Sequence, residues 1–179
     1  MKISTKQLVQ TALLLALCIA SQFLKNMSVY ITGPIVNAIL VIALLTVGLW
    51  SAIAISVIAP VTSFIITGSP IMAAIPVLMP VIMISNIILV VAIWLLMKKW
   101  GSKLAEYVGM GIGCVVKAAF LWIMTSFVLF PVFGGALPEK AIAVAKVTFS
   151  TTQLITAVLG CILAVLILIP LKKYLNSES

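Results

Sequence analysis

Six apolar runs, each approaching the length of a bilayer crossing, leave this chain few folds to choose from. A transmembrane helix needs about 20 apolar residues, fewer where it is tucked against protein. The runs cover roughly residues 7–24, 34–47, 49–66, 72–97, 104–130 and 145–169. Of the 179 residues, 64% are hydrophobic and 8% charged, and mean hydropathy is +1.37. No soluble core of this length hides so much apolar surface. The expectation is an all-α integral membrane protein, a single six-helix transmembrane domain spanning residues 1–179.

Turn signals set the boundaries. Pro34 can open the second helix, because its missing N–H is not needed there. Gly48 separates the second and third runs, which otherwise read as one stretch too long for a single crossing, so a tight turn is expected. Thr67-Gly68-Ser69-Pro70 is a clear breaker. Pro76 and Pro80 each remove a helix hydrogen bond, so the start of the fourth span is expected to be kinked or unwound. Irregular backbone at membrane depth survives only when buried in protein or lining a wet cavity. Pro131 is expected to end the fifth span. The stretch 133–140 is the largest polar loop.

Charge sets the orientation. Eleven lysines and three glutamates give a net charge of +8, with no arginine, aspartate or histidine. The lysines mostly flank apolar runs, so they point to topology rather than to nucleic acid. With six spans, Lys2, Lys6, Lys98, Lys99, Lys103, Lys172 and Lys173 fall on one side. Lys25, Lys140 and Lys146 fall on the other. The positive-inside rule places both termini in the cytoplasm of a plasma-membrane protein. Lys2 and Lys6 before an apolar run imitate a signal peptide, but no small-x-small cleavage site follows, and Leu17 occupies the position where a lipoprotein signal needs a small residue.

The same composition excludes much chemistry. Without histidine there is no His-based acid/base catalysis and no His metal site. Cys18, Cys114 and Cys161 lie inside apolar runs with no disulfide or zinc spacing, and read as small apolar fillers. Gly109-x-Gly111-x-Gly113 follows no strand and belongs to an apolar helix, where close helix packing explains it better than phosphate binding. With no phosphate loop, the chain cannot itself couple ATP hydrolysis. No catalytic residue, metal ligand or cofactor of this chain's own is expected.

Lys117 stands out near the middle of the fifth span. A charged lysine there costs roughly 2.5–3.5 kcal/mol on insertion scales. Such a residue faces a cavity or a partner, and no acidic residue in the spans can pair with it. It is a candidate to hold an anionic ligand group. The alternatives are bonding to backbone carbonyls or a subunit contact. One geometric point opposes the ligand role: helical side chains lean toward the N-terminus, here the cytoplasmic side. Other polar residues within the spans include Asn37, Asn86, Thr125, Ser126 and the run Thr148–Gln153. Asn86 and Gln153 are the stronger signals, since an amide brings more hydrogen-bonding groups to satisfy. Thr151 lies in the most polar stretch of any span, and Trp122 could supply a stacking surface. Lys117, Asn86, Thr151, Gln153 and Trp122 are therefore the candidate substrate-binding residues.

The first run carries Ala12, Ala16 and Ala20. Small residues four apart share one helix face. In a membrane such a face lets another helix approach closely, because packing drives association there. The stripe meets either a partner protein or only a neighbouring span.

Size, six spans, internal termini, the Phe130-Pro131-x-Phe133-Gly134-Gly135 stretch and the alanine stripe together resemble the substrate-binding S-components of energy-coupling factor (ECF) vitamin transporters. The resemblance covers nearly the whole chain. It implies high-affinity binding of a vitamin or related micronutrient near the outer face, in a pocket drawn from the outer loops and the last three helices. It also implies docking, through Ala12, Ala16 and Ala20, on a transmembrane coupling protein bound to two ATPase subunits. Ligand residues in that family vary with substrate, so none is carried over. Lys117 favours a carboxylate- or phosphate-bearing ligand. Two alternatives stand beside this reading. One is a six-span structural scaffold without a ligand. The other is a small secondary transporter, although such proteins usually keep an intramembrane acid that this chain lacks.

Overall fold

A computed structural model describes residues 4–24 and 28–177, with the side chains of residues 136 and 171–177 left aside. Lys2 and Lys25, used above to set topology, lie outside the described residues, as do the side chains of Lys172 and Lys173. All regular structure in the described residues is helical. In chain order the elements are α1 (Thr5–Gln22), α2 (Val29–Thr46), α3 (Leu49–Thr67), α4 (Pro70–Ala74), α5 (Leu78–Trp100) and α6 (Lys103–Ile123). A π-helical segment (Met124–Leu129) leads into α7 (Phe130–Phe133) and a 3₁₀ turn (Gly134–Ala136), followed by α8 (Glu139–Thr148) and α9 (Thr151–Ser177).

Five stretches are long and apolar enough to cross a bilayer: Val29–Thr46, Leu49–Thr67, Leu78–Trp100, Lys103–Phe133 and Glu139–Pro170. α1 is helical over most of the first expected span but is not among them. Lys6, Gln7, Gln10 and Gln22 dilute its apolar run.

Local chemistry explains most helix ends. Ser4 opens α1 with a capping box: its hydroxyl accepts from the Gln7 backbone N–H at 3.2 Å, and the Gln7 side chain accepts from the Ser4 N–H at 3.1 Å. Ser28 caps α2 by accepting from the Tyr30 N–H, which starts that helix five residues before Pro34. Pro34 therefore sits inside α2 rather than at its first position, and forgoes a bond to the Tyr30 carbonyl. Gly48 forms the tight turn expected between α2 and α3; its φ of 128° is one that residues with a Cβ avoid.

The later boundaries depart further from the sequence reading. The fourth run is unwound near its start, as expected, at Ile75–Val77 around Pro76. Pro80 falls in the first turn of α5, where the N–H has no intrahelical partner to lose. The fifth run does not stop at Pro131. That proline sits in the first turn of α7, and the helical path continues to Phe133. The sixth run is not one helix from Ala145. It breaks at Phe149–Ser150, between α8 and α9. At that break the Ser150 hydroxyl donates to the Lys146 carbonyl at 2.6 Å and the Thr148 hydroxyl to the Val144 carbonyl at 2.9 Å. Side chains there compete for acceptors that a continuing helix would use. The last two residues of the expected polar loop, Glu139 and Lys140, thus already belong to α8.

α2 is the most enclosed helix, with every residue from Asn37 to Leu44 buried. Two helix pairs are held close by glycine. On α6, a Cβ at Gly109 would lie 3.1 Å from the Ile93 Cα, and one at Gly113 would lie 3.1 Å from the Leu89 carbonyl oxygen of α5. Gly111, two residues from each, faces open space. The packing role expected for this motif therefore belongs to Gly109 and Gly113. On the other pair, Gly33 of α2 meets Thr156 of α9, and Gly160 of α9 meets Asn37 and Pro34 of α2. Cys114 of α6 and Cys161 of α9 bring their sulfurs to 3.5 Å as free thiols.

Candidate functional site

Lys117 is 2% exposed. Gly109 and Gly113, eight and four residues earlier, lie on the same side of α6 and draw it against α5. That approach brings Lys117 within reach of Asn86, where its Nζ donates to Oδ1 at 2.8 Å. On the other side Nζ donates to Oδ1 of Asn37 on α2 at 2.5 Å. The Asn37 Nδ2 donates to the Gly33 carbonyl at 2.9 Å. Because an ammonium only donates, both amides must turn oxygen toward it. One cation thus joins three helices through two neutral acceptors. No carboxylate among the described residues pairs with it, and Glu106 lies eleven residues earlier on α6, about 16 Å along the axis. Hydrogen bonds to a charged group contribute about 1.5–3 kcal/mol each. Two of them offset much of the cost of placing the lysine at this depth.

These three residues form the deep end of a cavity of about 190 Å³. It lies at one end of the bundle, among the last residues of α1 and α3 and the first parts of α2, α5 and α9. Gln22, Thr32, Ser63, Ser69, Thr148 and Gln153 supply neutral polar groups. Val29, Val36, Pro60, Met72, Ile82 and Phe149 supply apolar wall. An apolar pocket with a few convergent polar groups is the general form of a small-molecule site.

Three of the five candidate binding residues therefore come together: Lys117, Asn86 and Gln153. The other two lie elsewhere. Thr151 is exposed on α9; two residues from Gln153, it points to the opposite side of the helix. Trp122 is 46% exposed and packs edge-on against Phe127, with centroids 5.5 Å apart. Five residues beyond Lys117, it faces away from the cavity. The aromatic wall is Phe149 instead. Treating 145–169 as one helix concealed it, since only the break at 149–150 turns it inward. Asn37 was legible in principle, carrying the same signal as Asn86, an amide at membrane depth.

The alanine stripe occupies a different surface. Leu14, Leu15 and Cys18 pack α1 onto the core, while Ala12, Ala16 and Ala20 are exposed. Among the described residues, no helix buries them.

A family model described as the ECF transporter substrate-specific component matches residues 6–172. The chain belongs to that family. No curated protein and no solved structure matches it. As an ECF substrate-specific component it is a substrate-binding subunit of a multi-pass membrane transporter, and not itself an enzyme. Membership also displaces the scaffold and stand-alone transporter alternatives.

Proposed function

We propose that this ECF component captures a small anionic micronutrient, such as a vitamin, in the cavity above Lys117. It then presents the ligand to a transmembrane coupling protein carrying two ATPase subunits. Hydrolysis belongs to those partners, and the component needs no cofactor of its own. In this reading α1 is the first of six spans, both termini are cytoplasmic, and the cavity opens on the outer face. The charge distribution of the loops supports that orientation. The docking face is Ala12, Ala16 and Ala20, supported by their exposure on α1. The ligand contacts are Lys117, Asn86 and Gln153, with Asn37 added. Thr151 and Trp122 are assigned to the surface.

The observation that carries this reading is the Lys117 ammonium, buried, lining a cavity and, among the described residues, bonded to neutral amides alone. A cation in that state favours an anion in the adjoining space. The test is native mass spectrometry of the purified protein to find a co-purified small molecule, followed by titration of that molecule into wild type, Lys117→Ala and Lys117→Arg. Both variants are expected to bind more weakly by tenfold or more. Unchanged affinity in both rules out the ligand role of Lys117.

A further inference from the structure

We propose that the deeply buried end of the ligand is a single carboxylate, and that the rest of the ligand is uncharged. This deepens the preceding reading and rests on it. Charge count comes first. Lys117 is the one cation among the described residues that line the cavity, and no carboxylate lines it. Lys140 and Lys146, on α8, are exposed away from it. The other polar groups in the walls are neutral amides and hydroxyls. One positive charge in a poorly solvated interior is balanced by one negative charge. A phosphate monoester carries about −1.5 to −2 at neutral pH and would leave part of its charge buried without a counter-charge, which is costly. A neutral ligand would leave the lysine itself uncompensated.

Donor count points the same way. An ammonium has three N–H donors. Two go to the Oδ1 atoms of Asn37 and Asn86, and one is left. Asn37 directs its Nδ2 to the Gly33 carbonyl, whereas Asn86 lines the cavity with its oxygen engaged and its NH₂ on the other side of the amide. The floor therefore presents donors from two neighbouring groups, which matches the two oxygens of one carboxylate. Among the described residues it has no second cation of the kind a phosphate would call for. Pro60, Met72 and Phe149 in the wall suit an uncharged, largely apolar body behind the acid.

The test compares benzoate, benzamide and phenyl phosphate, which share a ring and differ in the group that would meet Lys117. Each is titrated into the full-length protein in nanodiscs, with the thermal unfolding midpoint and calorimetry as readouts. Benzoate is expected to bind about ten- to a hundredfold tighter than benzamide, the range that a hydrogen bond to a charged group supplies. It is also expected to bind tighter than phenyl phosphate. Lys117→Met is expected to lose the preference for the acid. Should that variant fold poorly, the acid–amide ratio in wild type decides alone. A phosphate preference that disappears in Lys117→Met would overturn the carboxylate assignment and leave an anion site at Lys117 standing. Equal binding of acid and amide, or no binding of any of the three, would also overturn the assignment. Benzoate binding equally to wild type and a folded Lys117→Met would remove the anion site itself.

Discussion

Gly160→Ala puts the α2–α9 contact, and with it the support of the site, under direct test. A methyl at Gly160 would lie 2.5 Å from the Asn37 Cβ, 2.8 Å from the Pro34 carbonyl oxygen and 3.0 Å from the Ala38 nitrogen. All three are backbone atoms or a Cβ, so no flexible side-chain end can move aside. Carbon atoms prefer about 3.5–4.0 Å, so α9 must retreat from α2 by about 1 Å or more. Overpacking of this kind costs about 1–3 kcal/mol, against a gain of up to about 1 kcal/mol from replacing glycine by alanine in a helix. The clash falls on Asn37 itself, so the bond that holds Lys117 is strained with it. Gly111→Ala is the control: the same substitution on α6, with nothing within 4 Å of the new methyl. Unfolding in matched nanodiscs should show the two variants moving in opposite directions, Gly160→Ala down and Gly111→Ala level or slightly up. Ligand affinity should fall only in Gly160→Ala. Equal stability and equal affinity for the two would refute the close approach of α9 to Asn37.

Three further outcomes are expected. Ala16→Leu should abolish co-purification of a transmembrane coupling subunit while ligand affinity in the isolated protein stays unchanged, because Ala16 is exposed and remote from the cavity; an intact complex would remove the docking role. Mild oxidation with copper–phenanthroline should join Cys114 to Cys161, whose sulfurs are 3.5 Å apart, leaving Cys18 as the one thiol that labels after denaturation. Three labelled thiols would contradict the contact between α6 and α9. Thr151→Ala and Trp122→Ala should leave ligand affinity within about twofold, since both residues face outward and surface changes typically cost under about 0.5 kcal/mol.

The helical membrane character was legible because it depends on composition and run length, which need no partner. The helix ends were less so, because they are decided by pairs of groups. Pro34 signalled a helix start, but Ser28 supplied a cap six residues earlier and took precedence. Pro131 signalled an end, yet the π-helical segment Met124–Leu129 carries the helical path past it to Phe133. Lys117 and Asn86 announced themselves by the cost of burying them. Asn37 carried the same signal, but only the glycine contact at Gly160 explains why it faces the lysine. The objection from side-chain direction also has an answer here. Lys117 need not bend back toward a distant pocket, because the cavity reaches down to it between Asn37 and Asn86.

The chain uses its small residues in two different ways. Gly33, Gly109, Gly113 and Gly160 are placed against neighbouring helices, where a methyl would collide. Ala12, Ala16 and Ala20 are equally small and equally regular, yet no helix among the described residues buries them. Internal packing therefore does not account for the alanine stripe. The position of Gln22 makes the contrast sharper. It ends α1 and lines the cavity, while Ala20, two residues earlier and about 200° around the helix, faces outward. The last turn of α1 thus borders the cavity on one side and carries the exposed Ala20 on the other. A partner that displaced α1 through Ala20 would move a wall of the cavity with it, and a ligand that fixed Gln22 would fix the docking face. On the proposed reading, binding and docking would be linked through a single helix, and each would alter the equilibrium of the other by the same factor.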